Sequence, residues 1–184
     1  MVSRRGLLFF VIAGAVVVGD QVSKAAVRAD MAIGESLPVI DGVFWLTHVE
    51  NTGAAFGMLR GQQWLLIATA AAMLAVVAYV MVQLRPLDSW VHWALALVSG
   101  GAIGNLIDRV LTGAVTDFFD LGWFPVFNVA DIALDVGVVV LVVLLLFKGE
   151  HALVGQSAHH AGQSLDTPHT DREVCTADAR SQDA

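Results

Sequence analysis

The sequence predicts an all-α integral membrane protein with four transmembrane helices, and three observations lead there. Hydrophobic residues fill 57% of the 184 positions, against roughly 45–50% in ordinary soluble domains, and the mean hydropathy is +0.70. Four apolar runs, at about residues 6–27, 64–84, 90–107 and 129–148, each approach the roughly 20 residues that a bilayer core requires. The carboxylates and carboxamides of the body gather at the ends of these runs instead of spreading evenly.

Met1 to Arg5 carries two arginines, and Gly6 to Gly19 is apolar. That order fits the n-region and h-region of a signal peptide. However, no small-x-small cleavage site precedes a soluble domain, and the apolar character continues through Val22 and Ala25–Val27. The run therefore reads as a first span. Asp20 and Lys24 interrupt its far end, and their i, i+4 spacing puts them on one helical face. They form an ion pair near the interface, or Asp20 faces a polar site. Arg28 to Gly61 is a long mixed connection. Within it, Glu35–Thr47 reads as short strands around a turn, because β-branched and aromatic residues flank Pro38 and Asp41-Gly42. Asn51–Leu59 is rich in small residues, with Phe56 and Met58 among them, and reads as a segment lying at the membrane surface.

The second span, Trp64 to Leu84, opens with an interfacial tryptophan, and Pro86 ends it. The third, Trp90 to Ile107, carries Gly100 and Gly104 four residues apart, a spacing that lets another helix approach closely. Asp108 to Phe127 is read as a second polar connection, and Val129 to Phe147 as the fourth span, closed by Lys148. Beyond Gly149 the composition turns to His, Gln, Ser, Thr and Asp. Residues 1–149 are thus expected to form one membrane domain and 150–184 a disordered polar cytoplasmic tail. Arg4, Arg5, Arg85 and Lys148 lie on one side and favour cytoplasmic termini, while Lys24, Arg28, Arg60 and Arg109 lie on the other. With this orientation Asp20, Asn51, Asp108, Asp117, Asn128 and Asp131 share one depth near the outer face.

Composition excludes several functions. The net charge is -7 and no basic footprint exists, so nucleic acid is not an expected partner. Cys175, the only cysteine, lies in the tail, as do His151, His159, His160 and His169. Only His48 and His92 remain in the body. No metal site, cofactor or Ser-His-Asp triad is expected from so few ligands and bases.

What remains is carboxylate chemistry. Ionisable residues inside a membrane protein are functional candidates because lipid makes them costly. Two carboxyls that share a site do not both ionise readily: one keeps a proton and the other stays charged. Such a pair can activate water and protonate a leaving amine, which is peptide hydrolysis without a covalent intermediate. Asp117 and Asp131 flank the junction of the last two spans and are the pair expected to do this. Asp131 opens the fourth span, where a helix N-terminus favours its charge. Asn51, Asn105 and Asn128 offer amide donors, and Arg109 could pair with Asp108 or hold a substrate oxygen. Two readings compete: a proton or ion relay through Asp20, Asp131 and Asp135, and a structural membrane subunit in which the polar groups are interhelical glue.

Five blocks in order narrow the choice: Asp20-Gln21-Val22-Ser23-Lys24; Asn51-Thr52-Gly53-Ala54-Ala55-Phe56; Gly100 through Arg109, GGAIGNLIDR; Val115-Thr116-Asp117-Phe118; and Phe127-Asn128-Val129-Ala130-Asp131. Together they resemble the lipoprotein signal peptidase family (signal peptidase II), the bacterial membrane aspartyl peptidases. The resemblance implies a small extracytoplasmic β-cradle and an interfacial helical segment beside the four spans, and the Glu35–Thr47 and Asn51–Leu59 readings suit them. It implies a diacylglyceryl-modified prolipoprotein as substrate, cut on the amino side of the lipidated cysteine, without metal or cofactor. It implies a multi-pass protein of the bacterial cytoplasmic membrane, in contact with membrane lipids, with its active site near the outer face; a monomer is expected. Asp117 and Asp131 match the family's catalytic pair. Asp20, Asn51, Asn105, Asp108, Arg109 and Asn128 match its supporting polar residues, and Lys24, Gly53 and Ala130 stand inside the same blocks. Three features depart from the pattern or rival it: Asp135, one turn beyond Asp131 and expected to face the bundle; Asp120, near enough to Asp117 to compete; and the tail.

Overall fold

The computed structural model describes residues 4–53, 61–83 and 88–148. Seven elements follow in order: α1 (Arg4–Asp30), β1 (Ser36–Ile40), β2 (Phe44–Asn51), α2 (Gln63–Gln83), α3 (Ser89–Leu111), β3 (Val115–Asp120) and α4 (Val129–Lys148). All four helices are long and apolar enough to cross a membrane. The expected tail, 150–184, lies outside the described residues, as do 54–59 of the surface segment expected at Asn51–Leu59.

In a bilayer, helices gain little from hiding apolar side chains from lipid that is equally apolar. Close van der Waals packing and interhelical hydrogen bonds hold them together instead. The distribution of exposure follows from this. Leu7, Phe10, Val11 and Val18 of α1, Val76, Tyr79 and Val82 of α2, and Val139, Leu146 and Phe147 of α4 are exposed, as lipid-facing side chains should be. The central element is α3, which packs against each of the other three helices. Its glycines make this possible. A Cβ on Gly100 would meet Val16 Cβ at 2.7 Å, and one on Gly104 would meet Asp20 Oδ2 at 2.6 Å. A Cβ on Gly101 would run into the Ala130 carbonyl of α4, and Gly137 of α4 approaches the Ala94 carbonyl of α3 in the same way. Away from the glycines, Val77, Val91, Leu95, Val98 and Leu144 form a cluster joining α2, α3 and α4.

The helix ends have local causes. Asp88 caps α3 by accepting the Trp90 N–H at 3.1 Å. At the other end, α3 continues past the expected Ile107 to Leu111, so Asp108 and Arg109 are helical and not part of a connection. Polar side chains normally mark the end of a span, but Asp108 finds partners inside the bundle, as described below. The first helix likewise runs beyond Val27, to Asp30.

The strands expected around Pro38 and Asp41-Gly42 are β1 and β2, with Gly42 at φ 75° in the turn between them. The β3 strand lies where a plain connection is expected, and it completes an antiparallel sheet of order β1-β2-β3. Val115 pairs with Asn51 and Asp117 with Val49, beyond a register irregularity between Leu46 and Val49. Phe118 turns inward against Val27 and Met31, which seats the sheet on the end of α1. Asp117, on the opposite face of the strand from Phe118, is thereby aimed at the helix junction.

Candidate active site

The site begins with a helix cap. Asn128 immediately precedes α4, and its side-chain Oδ1 accepts the Asp131 N–H at 3.0 Å. Asp131 Oδ2 accepts the Asn128 N–H in return at 3.1 Å. This reciprocal arrangement is a capping box, in which two otherwise unpaired backbone donors are satisfied together. It fixes the Asp131 carboxylate at the positive end of the helix. Asn105 Nδ2 donates to the other carboxylate oxygen at 2.7 Å.

Asp117 arrives from the sheet. Its Oδ2 accepts from Asn51 Nδ2 at 3.0 Å, a diagonal contact between β2 and β3. Its Oδ1 accepts from Asn128 Nδ2 at 2.7 Å. That same amide also donates to Asn105 Oδ1 at 3.1 Å. Asn128 and Asn105 therefore tie the two carboxyls into one network. Asp117 is 3% exposed. Burial chiefly, and then the charge of Asp131, push its carboxyl up from 3.8 to about 7, against the amide donors of Asn51 and Asn128 and the charge of Lys24. A carboxyl poised there can hold a proton at neutral pH and release it on demand.

Behind the pair lies a second carboxylate group of different character. Lys24 and Asp20 are both 0% exposed, and Asp108 is 1% exposed. Lys24 Nζ lies 2.9 Å from Asp20 Oδ2 and 2.9 Å from Asp108 Oδ2, and donates to Asn105 Oδ1 at 2.9 Å. This contact sets the direction of the Asn105 amide: with its oxygen taken by Lys24 and Asn128, its NH2 faces Asp131. Asp20 Oδ1 accepts the Ala130 N–H at 2.9 Å, so α1 helps to cap α4. Asp108 Oδ2 accepts the Thr116 N–H at 3.3 Å and thus anchors the residue before Asp117. Both readings of Asp20 and Lys24 apply, since they form an ion pair and that pair faces the polar site.

The carboxyl pair opens onto a cavity of about 450 Å³. Asn51, Gly53, Asn105, Arg109, Asp117, Asp131 and Asp135 supply its polar wall, and Leu121, Trp123, Phe124, Phe127 and Ile132 its apolar wall. Arg109 Nη1 points to the Asn105 carbonyl at 3.4 Å and Nη2 to the Gly53 carbonyl at 3.5 Å. Among the described residues its buried Nε has no partner. The guanidinium therefore has donors to spare for a ligand. It does not pair with Asp108, which is turned toward Lys24.

Two expectations require correction. Asp135 does not face the bundle: it is exposed and lines the cavity. Asp120 does not line the cavity that Asp117 opens onto; it accepts from Thr47 Oγ1 and the Gly122 N–H, both at 2.8 Å, on the sheet. Three contributors go unread in the sequence. Gln21 Nε2 lies 3.1 Å from Asp20 Oδ2, the Gly104 carbonyl and Asp108 Oδ1. Arg28 Nη1 donates to Thr116 Oγ1 at 2.9 Å and lies 3.7 Å from Asp108 Oδ1. The positions of Gln21 and Thr116, inside two of the quoted blocks, were the signal available. Among the described residues no group of three or more His, Cys, Asp or Glu is placed to hold a metal ion.

The chain is similar to known proteins across this membrane region. Residues 12–147 match the family described as signal peptidase (SPase) II. The lipoprotein signal peptidase of Symbiobacterium thermophilum is 46% identical over 136 residues, covering 72% of this chain and 90% of that protein. The lipoprotein signal peptidase of Geobacillus kaustophilus is 45% identical over 146 residues, covering 77% and 94%. A solved bacterial membrane enzyme superposes with a TM-score of 0.72 at 35% identity, covering 78% of this chain and 90% of that one. With the matched region running from α1 through α4, and with the fold of a solved membrane enzyme, the chain belongs to the signal peptidase II family.

Proposed function

We propose that the chain removes signal peptides from diacylglyceryl-modified prolipoproteins, cutting on the amino side of the lipidated cysteine, with Asp117 and Asp131 as the catalytic pair. The observation that carries this reading is the geometry of the two carboxyls. They come from a strand and a helix, are joined through Asn128 and Asn105, and open onto one cavity.

The chemistry divides between them. Asp131, held by two N–H donors at a helix N-terminus, acts as the base and takes a proton from water. The water oxygen bonds to the scissile carbonyl carbon. Asp117, protonated up to about pH 7, hydrogen-bonds the carbonyl oxygen as charge develops. As the C–N bond breaks, a proton passes from the pair to the leaving amine, and the products are a carboxylic acid and an amine. The spare Arg109 donors bind a substrate carbonyl beside the pair. The substrate's acyl chains stay in the bilayer and hold the scissile bond at the depth of the pair, which supplies much of the proximity that catalysis needs.

The protein is a multi-pass membrane protein of bacterial type. Four crossings return the chain to its starting side, so the ends of α1 and α3 and the start of α4 share one face with the sheet. Arg4, Arg5, Arg85 and Lys148 favour cytoplasmic termini, which leaves the cavity near the outer face. Every residue of the pair and its supporting network comes from one chain, which supports action as a monomer. Residues 1–149 make up this peptidase unit.

The test is cleavage of a diacylglyceryl-modified prolipoprotein by the purified full chain in detergent, with and without a metal chelator. Wild type is expected to cut regardless of chelator, while Asp117→Asn and Asp131→Asn fold normally and do not cut. Cleavage by both variants at near wild-type rates would overturn the assignment of the pair.

A further inference from the structure

Asp135 has no role in the mechanism above, yet it occupies an expensive position. Between Val129 and Phe147, α4 carries only two charged residues, Asp131 and Asp135. Among the described residues, Asp131 is held by hydrogen bonds from two others, whereas no hydrogen bond or ion pair reaches the carboxylate of Asp135. It is exposed on the helix surface and lines the same cavity as the catalytic pair, beside Ile132. Four residues beyond Asp131, it lies about 6 Å further along the helix axis, one turn deeper into the span.

A carboxylate in that position is an acceptor with nothing to accept from. While the cavity is open, water can satisfy it. When an apolar signal segment fills the cavity, water leaves and the carboxylate must be matched by the ligand or be buried unpaired. A site built to accept a hydrogen bond discriminates against ligands that lack the donor much more sharply than an apolar wall discriminates by size. Resting on the peptidase reading, we propose that Asp135 is a specificity-determining residue. It selects prolipoproteins whose signal segment presents a hydrogen-bond-donating side chain, such as a hydroxyl, toward α4 on the amino side of the scissile bond.

The experiment uses the full chain in detergent and a panel of lipidated peptides. Each of the five positions before the lipidated cysteine carries either Ser or the similarly sized, donor-free Val. Wild type is expected to show a preference for Ser over Val of about tenfold in kcat/KM at one of these positions. Asp135→Leu should abolish or reverse that preference while still cutting the Val peptide as well as wild type or better. Asp135→Asn, which keeps a polar acceptor, should retain part of it. A Ser/Val ratio that is the same in wild type and Asp135→Leu at every position would overturn the inference and leave the peptidase reading intact. Failure of wild type to cut any lipidated peptide would instead remove the peptidase reading, and this inference with it.

Discussion

Two carboxylate pairs lie side by side in this bundle, and their surroundings differ in one respect. Asp20 and Asp108 share a lysine: Lys24 touches both at 2.9 Å, and all three are essentially sealed from solvent. Asp117 and Asp131 share only amides, those of Asn51, Asn105 and Asn128. A fixed cation removes the need for a proton and leaves a carboxylate with nothing to do but hold position. Amide donors steady a carboxyl without neutralising it, so its proton remains available. On the proposed assignment, the presence or absence of a cation in contact separates architecture from chemistry among acids of one residue type. The architectural pair still serves the other. Through Asn105, Ala130 and Thr116 it sets where Asp117 and Asp131 stand.

The contrast predicts opposite outcomes for disturbing the two pairs. Asp117→Asn should lower kcat/KM by at least about 10³-fold, with thermal unfolding in detergent no lower than wild type at pH 8. Lys24→Met leaves two buried acids unpaired and should destabilise the protein by about 3–5 kcal/mol, read as lower unfolding temperature and poor accumulation. A Lys24→Met protein as stable as wild type would break the comparison. Gly101→Val should act between these extremes. Its side chain collides with the Ala130 carbonyl, pushes α4 from α3 and pulls Asp131 from Asn105, costing about 10²-fold in kcat/KM.

The smallest expected effect is on pH. An exposed aspartate has released its proton by about pH 4, whereas Asp117 keeps its own up to about 7. Between those values the native state binds the extra proton, so its stability falls as pH rises through the window and levels off above 7. Unfolding measured from pH 4 to 8 should show this slope in wild type and less of it in Asp117→Asn. The kcat/KM of wild type should also decline above about pH 7, as Asp117 loses the proton it donates.

The four helices were legible because length and apolarity suffice to specify a span. The proposed pair stands inside two of the five blocks, and the structure brings its two residues onto one cavity. What escaped the sequence depends on partners far along the chain. Asp108 and Arg109 look like the end of a span, and only the position of Lys24 on a distant helix shows that α3 continues through them. The β3 strand is a six-residue segment of mixed polarity that becomes a strand by pairing with β2. The direction of Asp135 depends on the rotation of α4, which Gly101 and Gly137 fix by their contacts and which no local pattern states. The cap at Asn128, by contrast, was within reach. Asn-Val-Ala-Asp before an apolar run has the spacing of a capping box, although with Asn and Asp in place of the more usual residues.

That cap joins two events usually kept apart. Asn128 starts α4 and, with its remaining amide hydrogens, bridges Asp117 and Asn105. Docking of the last helix therefore brings Asp117 and Asp131 together, and they are not neighbours before it. A nascent chain with three helices inserted already has all three strands, but its Asp117 has neither Asn128 nor Asp131 beside it. If Asp117 and Asp131 are the catalytic pair, synthesis order then works as a safety catch, because the two carboxyls meet only with the final crossing.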